Sequence, residues 1–188
     1  MRSDKDGKSD ILLLHGALGS KSQFSELKNT LTESFNVYTM NFSGHGGSTL
    51  PAEPFSIEMF AEDILKFIDS LGIESINIFG YSMGGYAAIY LAKHHPKRVK
   101  KIFTLATKFE WSEEIAASEI KMLDAEKIKE KIPKFALKLS VRHGLPDWKS
   151  VLRKTAEMMI NLGKINTLKT GDFGEIDNEI LVGVGDRD

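Results

Sequence analysis

The chain has 188 residues, 41% hydrophobic and 27% charged, with a formal net charge of −1 at pH 7. That length suits one domain with a sizeable core, and the balance is that of a globular chain rather than a disordered or fibrous one. A near-neutral charge gives no steering toward nucleic acid or an anionic membrane, and the absence of cysteine excludes disulfides, thiolate metal sites and a cysteine nucleophile. The opening residues MRSDKDGKSD are polar, no apolar stretch of signal-peptide length follows them, and no run approaches the roughly 18 apolar residues of a membrane span. The sequence reads as that of a soluble, cytoplasmic protein.

Short apolar runs at residues 11–14, 37–40, 76–79, 102–106 and 180–184 predict strands apolar on both faces, as a parallel sheet covered by helices requires. Between them lies helical spacing. Ser22 is expected to cap a helix with Phe24, Leu27 and Leu31 on one face. Ser56 should cap a second, whose buried stripe is Ile57, Phe60, Ile64, Leu65, Ile68 and Leu71 and whose stop is Gly72. A third, over 83–95, ends at Pro96, and its Ala87, Ala88 and Ala92 let it lie close to a sheet. This alternation predicts the α/β class, a doubly wound, mostly parallel sheet flanked by helices.

Residues 108–170 break the rhythm: they are rich in Lys, Glu, Leu, Ile and Met and hold no convincing strand. Pro133 and the segment His143-Gly144-Leu145-Pro146 divide them into three or four helices. One crossover needs far fewer residues, so a small helical cap over the sheet is expected. The organisation is then a core over 1–107, a cap over 108–170, and a return to the core over 171–188.

Gly80-Tyr81-Ser82-Met83-Gly84 follows one apolar run and opens the third helix. This is the G-x-S-x-G pattern in the strand-to-helix setting that gives it meaning. The serine must occupy a tight, strained turn with its hydroxyl above the sheet, and Gly80 and Gly84 remove side chains that would collide there. The helix start at Met83 turns free N–H groups and a positive dipole end toward the site.

Four segments, HGALGS at 15–20, NFSGHGGS at 41–48, GYSMGG at 80–85 and VGVGDRD at 182–188, together resemble the α/β-hydrolase superfamily, in particular its small esterase-like and carbon–carbon-bond-hydrolase-like branch. The resemblance runs from Asp10 onward. It implies Ser82 as nucleophile and an oxyanion hole from the N–H groups of Ala17 and Met83, with Leu18 as the alternative to Ala17. Gly16, Leu18 and Tyr81 are then expected beside substrate. Asn41 stands where the family's D-x-x-G-x-G-x-S loop has aspartate; that loop is structural, so His45, like His15 at its strand end, is expected to brace a loop.

The family's order is serine, acid, histidine. Asp188, in the turn Gly185-Asp186-Arg187-Asp188, holds the acid's position; Asp186 is the likelier surface group, and Glu110 is a weaker alternative acid. All five histidines, at 15, 45, 94, 95 and 143, precede Asp188. His94 and His95 close the third helix and complement its C-terminal dipole, while His143 overhangs the pocket only as a remote candidate base. Three explanations compete: part of a longer enzyme, which is favoured; a shortened, weak homologue; or a site completed by a second chain. A missing neighbour would leave the strand at 180–184 as an exposed apolar edge.

The expected activity is hydrolysis of a small or medium, largely apolar ester, thioester or related carbonyl compound through an acyl-enzyme on Ser82. Phe109, Trp111, Met122, Phe135, Leu139, Trp148, Met158 and Met159 are the cap's large apolar residues, some facing the pocket and most packing the cap. A binding module without turnover and cofactor-free carbon–carbon hydrolysis or lysis are the competing readings. No cofactor, metal, nucleic acid or membrane is expected; homo-oligomerisation is left open.

Overall fold

A computed structural model describes residues 7–144 and 147–185. Asp186 and Asp188, including the expected acid, lie outside the described residues. Five strands, β1 (Ser9–Leu14), β2 (Phe35–Thr39), β3 (Ile76–Tyr81), β4 (Val99–Leu105) and β5 (Glu179–Gly183), form one sheet in the order β2-β1-β3-β4-β5. Every pairing is parallel. Strand β1 is buried on both faces through Leu12, Leu13 and Leu14, whereas β3 and β4 fully bury one face, with Ile76, Ile78 and Ile102, and leave the other partly open, Phe103 being 37% exposed. Edge strand β5 differs, with Leu181 64% and Val182 53% exposed.

The helices are α1 (Ser25–Leu31), α2 (Ile57–Ser70), α3 (Met83–His94), α4 (Glu113–Glu119), α5 (Ala125–Lys131), α6 (Pro133–His143) and α7 (Asp147–Lys164). At α2 the Ser56 hydroxyl accepts from the Met59 N–H at 3.2 Å, the Leu71 cap is followed by Gly72 at φ +67°, and Ile57, Phe60, Ile64, Leu65 and Ile68 are buried. Ser22 does not cap a helix. It lies inside a 3-10 turn (Lys21–Phe24) with its hydroxyl bonded to that of Ser20 at 2.8 Å, and α1 proper begins only at Ser25 after Phe24. The serine's side chain found a local hydroxyl partner instead of an orphan helix N–H, a competition that short polar side chains regularly enter.

Ala87, Ala88 and Ala92 of α3 are at most 1% exposed, which lets its backbone press against the sheet. Between β4 and β5 the chain makes α4 to α7, and β4 and β5 then pair directly. This helical insertion has a small core of its own, formed by Ile128, Ala136, Leu139, Trp148 and Leu152. Val151, Met158 and Leu162 of α7 belong instead to the main core, so α7 joins the insertion to the sheet layer. Lys154, only 6% exposed, fastens it further by donating to the carbonyls of Ala52 and Glu53 at 3.0 and 2.7 Å. No helix among the described residues is long and apolar enough to cross a membrane.

Candidate active site

Strands β1, β3 and β4 run in parallel, with Leu14 opposite Gly80 and Tyr81 opposite Leu105. Their carboxyl ends therefore stop at one edge, the place where open parallel sheets present their sites. The turn after β1, the elbow after β3 and the turn after β4 meet there.

Ser82 has φ +51° and ψ −118°, a region a residue with a Cβ enters only when its surroundings fix it. Those surroundings are specific. The Ser82 N–H donates to the Leu105 carbonyl at 2.9 Å, and the Ser82 carbonyl accepts from the Thr107 hydroxyl at 3.1 Å and from the Gly85 and Tyr86 N–H groups at 2.9 and 3.2 Å. A Cβ on Gly80 would stand 2.5 Å from the Gly85 Cα, and one on Gly84 would stand 2.6 Å from the Leu14 carbonyl oxygen. Backbone, not a movable side chain, blocks both positions. The two glycines of the sequence pattern are thus what allows α3 to start directly over the end of β1.

Ala17, Ser82 and Met83 line one small cavity. Met83 is the first residue of α3, where an N–H has no intrahelical acceptor, and no hydrogen bond of the Ala17 N–H is formed among the described residues. Both donors are available at the wall of the cavity that Ser82 shares. The remaining wall is apolar: Ile57, Tyr86, Trp111, Met158, Met159 and Leu162, with Lys108 at its edge. Trp111, Met158 and Met159 are three of the eight cap residues of which the sequence led us to expect some at the pocket. Ile57 and Tyr86 were not expected there, although Tyr86 lies four residues after Ser82 on α3 and so on the same helix face. Leu139 and Trp148 pack the insertion's own core, and Met122 is 68% exposed.

The three residues expected beside substrate separate. Tyr81 lines a second, open groove that also borders Ser82 and is walled by Ala106, Thr107, Lys108, Trp111, Glu119, Met159 and Val184. Gly16 lies beneath the elbow, where a Cβ would stand 3.0 Å from the Tyr81 ring and 3.1 Å from the Ser82 Cβ. Leu18, at φ +58°, packs on both hydrophobic cores and is not among the described residues lining the cavity. Glu110 is exposed and lines neither space.

The histidines are otherwise engaged. His15, fully buried, accepts the Phe42 N–H on Nε2 at 3.2 Å, which leaves Nδ1–H to donate to the Gly16 carbonyl at 2.9 Å. Burial pushes its pKa down to about 4, against the upward pull of the Gly16 bond. His45 donates through Nδ1 to the Ser43 carbonyl at 3.0 Å, its Nε2 is buried without a partner among the described residues, and burial pushes its pKa down to about 3. It stacks on Phe55 with centroids 5.2 Å apart. Asn41 ties the same loop by accepting from the Lys21 N–H at 2.7 Å and donating to the Gly46 carbonyl at 2.9 Å; an aspartate would lack the second bond. His143 accepts the Gly46 N–H on Nδ1 at 3.1 Å and donates through Nε2 to the Leu18 carbonyl at 3.0 Å. His94 lies in the last turn of α3 and His95 caps it. Among the described residues, no histidine is hydrogen-bonded to the Ser82 hydroxyl.

A model of the alpha/beta hydrolase fold family matches residues 11–157. The chain is 35% identical over 98 residues to the Caulobacter segnis protein named "Putative carbamate hydrolase RutD", a match spanning 51% of this chain and 37% of that protein. It is 31% identical over 106 residues to a pimeloyl-acyl-carrier-protein methyl ester esterase of Neisseria meningitidis, spanning 56% of this chain and 40% of the relative. The chain thus matches less than half the length of these curated relatives. Among solved structures, the 2-hydroxy-6-oxo-6-phenylhexa-2,4-dienoate hydrolase of Rhodococcus sp. strain RHA1 superposes with a TM-score of 0.76 at 19% identity, over 95% of this chain and 73% of that one. At this identity the superposition speaks for the fold alone.

Proposed function

The chain belongs to the alpha/beta hydrolase fold family, and from that premise we propose that it is a serine hydrolase forming an acyl-enzyme on Ser82. The observation that carries this reading is the strained Ser82 backbone at φ +51°, held by four hydrogen bonds beside a cavity lined by an apolar wall and by two residues whose N–H groups form no hydrogen bond among the described residues. Strain of this kind is maintained where it serves a purpose.

In the proposed reaction the Ser82 oxygen attacks a carbonyl carbon, and its proton passes to a base. The negative charge that develops on the carbonyl oxygen is met by the N–H groups of Ala17 and Met83, reinforced by the positive end of α3. The carbon–oxygen or carbon–sulfur bond to the leaving group breaks as that group is protonated. Water then attacks the acyl-enzyme and restores the serine. In the family pattern the base is a histidine oriented by the acid at Asp188. The open groove beside Tyr81 and Val184 borders Ser82 and leaves room for such a base, whereas the other space beside Ser82 has an apolar wall. That wall favours a small or medium apolar acyl group, in keeping with the methyl ester esterase activity named for one relative.

A panel of p-nitrophenyl esters from acetate to octanoate tests this reading. Turnover should be lost in Ser82→Ala and should peak at an intermediate chain length; equal turnover in wild type and Ser82→Ala sinks the proposal. A second reading, a binding module that keeps the cavity without turnover, is favoured by one observation: the buried histidines are committed to loop contacts. Saturable binding of an apolar ester with neither hydrolysis nor an adduct would establish it instead.

A further inference from the structure

The last turn of α6 reaches across to both loops that flank the proposed oxyanion hole. His143 accepts the Gly46 N–H at 3.1 Å and donates to the Leu18 carbonyl at 3.0 Å, while Arg142 donates to the same Leu18 carbonyl at 2.6 Å. Leu18 directly follows Ala17 and holds a positive φ of 58°, a conformation a branched side chain does not keep without outside help. The turn has one internal tie of its own, from the Gly19 N–H to the Gly16 carbonyl at 3.0 Å. At its start His15 donates to the Gly16 carbonyl at 2.9 Å, but the Leu18 carbonyl is held from the insertion, more than a hundred residues away in sequence.

We propose that His143, assisted by Arg142, is a positioning residue that clasps the Gly16–Gly19 turn to the Gly46 loop and so sets where the Ala17 N–H stands, and that the clasp opens when His143 is protonated. The proposal rests on the serine-hydrolase reading only for its effect on rate; the clasp itself is a matter of structure. A neutral imidazole protonated on Nε2 offers one acceptor and one donor, which is what Gly46 N–H and Leu18 C=O require. A second proton on Nδ1 would set N–H against N–H at Gly46. It would also place a cation beside Arg142 on α6, whose charge disfavours it; Lys21 and Lys138 line, with Arg142, the groove that borders Gly46, and the neutral ring of His45 lies with its centroid 5.6 Å away, that of His15 beyond it. Burial lowers the His143 pKa, more than the Leu18 bond raises it, and Arg142 lowers it further. The opening therefore belongs below the ordinary histidine range.

Amide hydrogen exchange across the turn 16–20 and at Gly46, with β3 as an internal reference, reads the clasp without needing turnover. Losing charged and neutral hydrogen bonds of this kind should raise exchange about tenfold. The double variant Arg142→Met/His143→Ala should therefore lose about tenfold protection at Gly46 and in the turn at pH 7, with β3 unchanged, and should react about tenfold more slowly with a fluorophosphonate at Ser82. Wild type should lose the same protection on acidification. His143→Gln, whose amide offers one acceptor and one donor but does not titrate, should keep protection at pH 7 and into acid. Exchange in the double variant equal to wild type, or a loss shared equally by β3, overturns the proposal. A wild-type protein that never reacts at Ser82 refutes the hydrolase reading, and the exchange data then decide the clasp by themselves.

Discussion

Gly16 and Ser82 lie so close that a β-carbon on the first would stand 3.1 Å from the β-carbon of the second. The turn after β1 and the elbow after β3 are thus packed against each other at Gly16, with the proposed donors of the oxyanion hole, Ala17 and Met83, each one residue beyond that contact. Gly16→Ala should be tolerated by the fold, because the Tyr81 ring at 3.0 Å can give by a few tenths of an ångström, but the Ser82 Cβ at 3.1 Å can yield only by a shift of the elbow backbone. Reaction at Ser82 should nonetheless slow at least tenfold. Gly84→Ala meets backbone instead, the Leu14 carbonyl oxygen at 2.6 Å, and should cost about 1–3 kcal/mol of stability or more. Urea unfolding midpoints of the two variants, taken with their labelling rates, check the contrast.

Ser82 holds its backbone in a region that glycine occupies without strain. Ser82→Gly should therefore abolish reaction while raising stability by about 1 kcal/mol. A thermal midpoint that falls instead would mean the elbow is not strained.

The buried histidines make the fold sensitive to acid. His15 and His45 titrate at about 4 and about 3 in the folded chain, against 6.5 as the ordinary value. The unfolded chain then binds more protons than the folded one below 6.5, so stability is fully present above that pH and is lost as pH falls toward the folded values. At 1.36 kcal/mol per pKa unit, His15 alone accounts for a loss of order 3 kcal/mol by pH 4. Urea unfolding between pH 7 and pH 4 measures it; His15→Gln should flatten the curve.

The cavity at Ser82 is separated from a neighbouring cleft by Ile57, Met158 and Leu162, which line both. Met158 is the most flexible of these three side chains. Met158→Ala should join the spaces and move the preferred p-nitrophenyl ester toward longer chains, raising the ratio of octanoate to butyrate turnover several-fold. An unchanged ratio would mean the acyl group lies elsewhere, in the open groove.

Much of this was legible in the sequence because the determinants are local. Five apolar runs marked five strands, and their parallel pairing followed from the helical stretches between them. Gly80, Ser82 and Gly84 announced the elbow because a tight turn needs those residue types at that spacing. What escaped was decided at long range. Ser22 was read as a helix cap, but Ser20 offered a nearer partner. Ile57 was read as part of a buried helix stripe and Tyr86 was not singled out, and only the approach of α7 turned them into cavity wall. His143 carried no local signal at all: its partners, Gly46 and Leu18, lie 97 and 125 residues away, and nothing in the run Val141-Arg142-His143-Gly144 points to them.

The most direct test of the central claim is the intact mass of the protein before and after treatment with a fluorophosphonate, with Ser82→Ala as control. The account predicts a single adduct on the wild type, placed on Ser82 by peptide mapping and absent from Ser82→Ala. No adduct on folded wild-type protein, or the same adduct on Ser82→Ala, would contradict it.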